Sequence, residues 1–354
     1  MQPSDVNAHT HLYSGLAPLG MPSPAVAPEN FVQILERVWW RLDRALDAAS
    51  LRASARLYVA EALLAGTTTL IDHHESPNFI EGSLDVLADA CEELGARALV
   101  CYGATDRNGG RDEGRRGLAE CRRFIVNNQR ERVRGAIALH ASFTVSDETV
   151  EEAGALCREL GAPMHVHVAE DGADVEDARA RGWDGPLERL MALDALPPGS
   201  IMAHGVFLTP EQVRAADEAG LWLVHNPRSN EGNRVGWASS LVASARVALG
   251  TDGWPARMDE EEAALLRLTA AHGDDIGHAR RRRHASRSLA RALFGEEAGA
   301  DAVEHDERGD VHRVLVSGVP VVDGGRLVHG DLDAIRAEAR EQATRLWAIM
   351  SALD

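Results

Sequence analysis

Between Val6 and Gly253 the chain alternates eight short apolar runs with helix-period segments, and this alternation limits the fold more than any other feature. The runs are the stretch from Val6 to Ser14, then Thr67–His74, Ala96–Gly103, Val133–Ala141, Pro163–Glu170, Ser200–Val206, Leu221–Pro227 and Ala245–Gly253. Buried strands separated by helices read as βα units, whose strands run parallel. Eight such units predict an α/β fold, a closed (β/α)8 barrel of TIM type, with a doubly wound open sheet as the competing arrangement.

The intervening segments carry helix signals. Pro28-Glu29 opens a helical tract reaching Ala65, in which Phe31, Ile34, Leu35, Val38, Leu42 and Leu46 hold a helical period, and Gly66 stops it. Ser146 can cap the helix that ends at Leu160, and Thr209-Pro210 reads as a cap followed by proline at the first helical position. A short helix is expected around Val235–Ser244. After the eighth run come a helical segment over Asp259–Phe294 and a hairpin pattern over Val314–Val328, with Asp323-Gly324-Gly325 as its turn. A final amphipathic helix presents Leu332, Ile335, Ala339, Leu346, Ile349 and Leu353 on one face. Residues 1–294 therefore read as the barrel and 295–354 as a hairpin-and-helix appendage.

Composition removes several function classes. The net charge of −18 argues against nucleic acid or an anionic membrane as partner. No 18-residue apolar run exists and the region after Met1 lacks a signal peptide's blocks, which predicts a cytoplasmic protein. The cysteines Cys91, Cys101, Cys121 and Cys157 form no CxxC pair and read as reduced core residues. All 37 basic residues are arginine. Without lysine there is no Walker phosphate loop, no Schiff base and no carbamate bridging two metals. The chemistry must use His, Asp, Glu and a metal. The arginine run Arg280–Arg283 reads as a solvated helix face.

The strand ends supply those residues. His9 and His11 stand two apart, so on a strand both imidazoles leave the same face and can close on one ion. His167 at the fifth strand and Asp252 at the eighth complete a ligand set that leaves a position open for water. His165 shares a face with His167; Glu170, three residues past His167, favours His167 as the ligand and leaves His165 structural. Glu170 at the mouth can shuttle a proton to a substrate nitrogen, while His204 at the sixth strand can polarise the reacting carbon's substituent or bind the attacking water. His140 ends the fourth strand and is a candidate for substrate contact. One of His73 and His74 is expected to face the mouth; His225 is undecided.

These residues together resemble the amidohydrolase superfamily, in the branch holding cytosine and guanine deaminases and triazine chlorohydrolases. The motifs NAHTHLYSGLA, FVQILERVWWRLDRAL, DHHESPNFIEGSL, CYGATDRNG, LHASFTVSD, HVHVAED, HNPRSN and LGTDG look closer still to the aminohydrolase group called SsnA. The resemblance covers roughly Val6 to Trp254. It implies one divalent metal, with zinc, iron or manganese all fitting, held by His9, His11, His167 and Asp252. It also implies catalytic roles for Glu170 and His204 and substrate contact by His140, and Asp252 is read in addition as the catalytic group that takes the proton of the attacking water. Relatives carry a β-sandwich; only about eight residues precede His9 here, so a reduced sandwich of one hairpin is expected, and a homodimer is compatible with it.

The expected activity is removal of an amino group from a small cyclic amidine or N-heterocycle. The same site also suits halide loss or ring-opening of a cyclic amide. From a different class comes a non-catalytic paralogue acting as a partner subunit, which the short ends favour and the complete set of site residues opposes.

Overall fold

The computed structural model describes residues 1–353. Its first strand, Asp5–Thr10, pairs in parallel with the second, Thr67–Asp72, and that with Arg97–Val100 of the third. The third and fourth strands are each interrupted once. Arg97–Val100 pairs with Val133–Gly135, and past the interruption Gly103–Ala104 pairs with Ile137–Ala141. The ring continues through the fifth strand, Met164–Val168, the sixth, Ile201–His204, the seventh, Trp222–His225, and the eighth, Val247–Leu249. The Asp252 N–H donates to the His9 carbonyl at 2.9 Å, and a bridge joins Thr10 to Asp252, so the eighth strand meets the first. The closed barrel expected from the alternation is present. Its strands are buried on both faces, as parallel strands covered by helices must be.

Two expectations about helices change. The tract from Pro28 to Ala65 is not one helix: Phe31–Ile34 leads into a π-helical turn over Leu35–Trp39, then Trp40–Ala45, and Leu46 is extended. A new helix, Ala48–Leu64, starts because Asp47 and Ser50 cap each other's backbone N–H groups reciprocally. Near the seventh strand, the helix expected over Val235–Ser244 is only a 3₁₀ turn, Ser239–Ala243, while Pro227–Gly232 and Gly172–Ala180 form helices that the apolar pattern missed. In the second of these, Asp171 caps the Ala173 N–H.

The arginine run is not wholly solvated. The helix Ile276–Phe294 turns Arg282 inward, where it is 3% exposed and donates to Nδ1 of His225. His225 therefore packs between Arg282 and Trp237, and does not line the site pocket.

The appendage is larger than one hairpin. Five antiparallel strands run in the order Gln2–Pro3, Ala302–His305, Val311–Val316, Val319–Asp323 and Arg326–Leu327, so two N-terminal residues join a sheet otherwise built after the barrel. The expected hairpin is its last part, with Gly324 and Gly325 at φ +58° and +71° making the two-residue turn that strand twist favours. Arg97, on a barrel strand, meets Asp301 at 3.1 Å and 3.2 Å, and Asp301 accepts the Ser317 N–H at 2.8 Å, tying sheet to barrel.

The last helix, Leu332–Ser351, buries Ile335, Ala339, Ala343, Leu346 and Met350 and packs mainly on the helix Ala48–Leu64 and also on Trp40–Ala45. Arg345 pairs with Asp47, and Arg41 donates to the Met350 carbonyl at 2.9 Å. Because Leu346 is fully buried, Leu346→Ala should cost about 2–5 kcal/mol in denaturant unfolding. A loss below about 1 kcal/mol would mean that this helix does not share the barrel's core. All four cysteines are buried and free. No helix among the described residues is long and apolar enough to cross a membrane.

Candidate metal centre and pocket

The site lies at the C-terminal ends of the barrel strands. His9 and His11 leave the first strand on the same side, as their spacing requires. His167 comes from the fifth strand, His204 is the last residue of the sixth, and Asp252 follows the eighth. Among the described residues six non-glycine positions have positive φ, and three of them stand here: Ala169 at 51°, His204 at 75° and Asp252 at 54°. Such conformations cost about 1–3 kcal/mol each and persist where surrounding structure enforces them. They turn Glu170, His204 and Asp252 inward from the strand ends.

One nitrogen each of His9, His11 and His167 and one oxygen of Asp252 lie within 4.8 Å of one another. His9 Nε2 is 3.4 Å and His11 Nε2 2.8 Å from Asp252 Oδ1, and His167 Nε2 is 3.4 Å from His11 Nε2. Donors sharing one ion with bonds of about 2.0–2.1 Å lie no more than about 4.2 Å apart, and these separations meet that limit. The orientation fits too. His11 and His167 turn Nδ1 onto the carbonyls of His73 and His140, and Asp252 Oδ2 accepts from Ser229, leaving Nε2, Nε2 and Oδ1 for a cation. Nε2 of His9 is buried without a hydrogen-bond partner.

Burial governs the electrostatics. It pushes His9 down to about 3 and holds His167 well below the usual histidine range, so both present neutral lone pairs. His11 goes the other way: burial opposes its cation, yet the hydrogen bond to Asp252 raises it to about 10. Burial favours neutral Asp252, but the hydrogen bond from His11, with the charge of that ring, keeps it well below the carboxylate range. The cluster thus demands one positive charge at its centre, which a proton on His11 or a metal ion can satisfy.

Beside it stands a second group. His204 Nε2 is 3.4 Å from Glu170 Oε2, and Asn233 donates to Glu170 Oε1 at 3.3 Å. His204 Nδ1 meets Asn230 Oδ1 at 2.9 Å, so the ring's other nitrogen faces the site. Burial, reinforced by the charge of Asp252, raises Glu170 well above the usual carboxyl range.

The pocket above these groups also includes residues that the strand-end pattern did not reveal. Phe31, Leu35, Trp39 and Trp40 of the π-turned helix form its roof. Asp43, one turn further on, pairs with Arg107, whose guanidinium stacks 4.8 Å from the Trp40 ring centre. Arg107 Nη1 is 3.3 Å from His140 Nε2, and His140 Nδ1 is 3.0 Å from Thr144 Oγ1. The Thr144 hydroxyl already donates to the Ala141 carbonyl, so His140 donates through Nδ1 and presents Nε2 as an acceptor. Glu75, 2% exposed and with neither oxygen hydrogen-bonded, forms the facing wall 2.7 Å from His73 Nδ1. His73 is thus the inward residue of its pair, while His74 bonds Ser76 at 2.8 Å and packs on Tyr13 and Tyr102. Glu75, Asp43 and Arg107 lie inside the motif stretches DHHESPNFIEGSL, FVQILERVWWRLDRAL and CYGATDRNG, but neither spacing nor periodicity singled them out there.

The model of the Amidohydrolase family matches residues 1–304. The chain belongs to the amidohydrolase family. Among curated relatives of this amidohydrolase, the 5′-deoxyadenosine deaminase of Methanosphaera stadtmanae is 29% identical over 276 residues, covering 76% of this chain and 61% of the relative. The 8-oxoguanine deaminase of Pseudomonas aeruginosa is 29% identical over 268 residues, covering 71% and 59%. The chain therefore spans about three fifths of the length of the curated relatives it matches. Among solved structures, a zinc-bound adenosine deaminase from Xanthomonas campestris superposes with a TM-score of 0.82 at 25% identity, over 97% of this chain and 85% of that one. A zinc-complexed atrazine chlorohydrolase from Arthrobacter aurescens gives 0.77 at 21% identity, over 97% and 88%, and shows the shared fold.

Proposed function

We propose that this amidohydrolase is a mononuclear metal-dependent aminohydrolase acting on a small aminated N-heterocycle, with a purine-like ring as the first class to test. The observation that carries the reading is the juxtaposition of Glu170 and His204 with a four-donor cluster, where the same ligand atoms of Glu170, His204 and Asp252 also lie within 4.8 Å of one another. The deaminases among its relatives act on adenine nucleosides and 8-oxoguanine by name, and the X. campestris deaminase carries zinc, which supports zinc here. The closer likeness of the motifs to the SsnA group belongs to the same reading.

His9, His11, His167 and Asp252 would hold the ion. When bound, a divalent ion there supplies Lewis acidity and makes a water nucleophilic near neutral pH. Asp252 takes the proton of that water as its oxygen bonds to the C–NH₂ carbon. Glu170, kept protonated by burial, gives a proton to the ring nitrogen as the carbon becomes tetrahedral. His204, held neutral by burial and giving its Nδ1 hydrogen to Asn230, offers Nε2 as an acceptor that orients the attacking water. The carbon–nitrogen bond then breaks as Asp252 passes its proton to the leaving amino group, which departs as ammonia; the hydroxyl proton returns to Glu170, and the water oxygen remains as a ring carbonyl beside the protonated ring nitrogen. The walls suit such a substrate. Trp39, Trp40, Phe31 and Phe143 offer apolar faces to a planar ring, while Glu75 accepts from its N–H or O–H groups and His140, its Nε2 held by Arg107, lines the same wall as the candidate substrate contact. The intact donor set argues against a non-catalytic subunit.

The test is a panel of aminated purines, pyrimidines, pterins and cyclic guanidines scored for ammonia, beside chlorinated and cyclic-amide analogues. Ammonia from a panel member at a rate above about 1 per second is the expected result. Chloride release or ring-opening without ammonia would move the assignment to those reactions.

A further inference from the structure

The three imidazoles that converge on the cation position are not held alike. His11 and His167 each anchor Nδ1 on a backbone carbonyl. His9 is anchored by another side chain: its Nδ1 lies 3.0 Å from Nε2 of His165, and both residues are completely buried. If His9 offers Nε2 as a lone pair, Nδ1 must carry the hydrogen and donate it, so Nε2 of His165 must accept. That fixes His165 as the Nδ1–H tautomer. Its hydrogen then points toward Cys101 Sγ at 3.7 Å, and Cys101 in turn donates to the Asp72 carbonyl at 3.2 Å.

We propose that His165 is a positioning residue for the metal centre, fixing the tautomer and orientation of His9 through an imidazole–imidazole hydrogen bond that Cys101 completes. The inference rests on the metal reading above and goes beyond it, because His165 supplies no ligand atom to that centre. The placement explains why the fifth strand carries two histidines on one face. His167 reaches the cluster from the strand's mouth end, and His165, two residues deeper, supports the ligand contributed by the first strand. A neutral acceptor also makes His9 a weaker electron donor than an imidazole hydrogen-bonded to a carboxylate would be.

The experiment compares zinc affinity, by chelator competition, and the visible spectrum of the cobalt-substituted full chain in wild type, His165→Gln and His165→Leu. The Gln amide oxygen can take the His9 hydrogen; Leu fills similar space without an acceptor. Supporting variants fail differently: His165→Leu should bind zinc about 10–100-fold more weakly with a changed cobalt spectrum, while His165→Gln recovers most of both. Equal affinities and spectra in Leu and Gln, whether both intact or both impaired, would overturn the proposal. Wild-type protein gives an independent reading should the Leu variant not fold. Nitrogen-15 histidine spectra of the zinc-loaded chain should show His165 protonated at Nδ1, and protonation at Nε2 would overturn the role. His167→Ala, run beside these, separates the two questions. Retention of zinc in that variant refutes the metal centre itself, whereas wild-type affinity in His165→Leu refutes only the part assigned to His165.

Discussion

His167→Ala is expected to bring the metal content of the purified protein from about one ion per chain to near none, and activity to that of chelated enzyme. The reason is geometric. His167 Nε2 stands 3.4 Å from His11 Nε2 among the converging donors, and the nearest other ring to it, His73 at 4.5 Å, is committed to the Leu139 carbonyl and Glu75. His140, 5.5 Å away between ring centres, is committed to Thr144 and Arg107. His204, 5.4 Å away, is committed to Asn230. Elemental analysis checks the outcome. Full metal content in the variant would remove His167 from the ligand set, and two tightly bound ions in the wild type would contradict a mononuclear centre.

Glu170→Gln should leave metal content and melting temperature unchanged while lowering kcat about 10²–10⁴-fold, the usual contribution of a positioned general acid. Gln can keep the contact with Asn233, found at 3.3 Å, so the fold does not suffer. It cannot deliver a proton. A rise in KM with kcat unchanged would instead mean that Glu170 only binds substrate.

Much of this centre was legible in the sequence because barrel geometry converts chain position into spatial position. Residues ending parallel strands meet at one rim, so His9, His11, His167, His204 and Asp252 could be placed together before any coordinate was known. Strand periodicity could not separate His165 from His167, since both leave the same face; depth separates them, and depth depends on how far each strand reaches toward the mouth. The wall and roof were less legible. Glu75, Asp43 and Arg107 sit on segments whose direction is set by loops and by the π-turn at Leu35–Trp39, and no periodic signal reports that. The break at Leu46-Asp47 escaped notice because the apolar period runs on through it, while the Asp47–Ser50 cap that causes it is a local polar contact. The appended sheet was underestimated because Gln2–Pro3 and Ala302–His305 are too short to carry an alternation and pair only across the length of the chain.

Hydrolytic loss of an amino group at this site is tested most directly by a single-turnover reaction in oxygen-18 water with a panel substrate that the enzyme converts. The product should carry one heavy oxygen at the former C–NH₂ carbon, with ammonia released in equal amount, and the reaction should stop on chelation. Product without the heavy oxygen, or conversion that releases no ammonia, would contradict it.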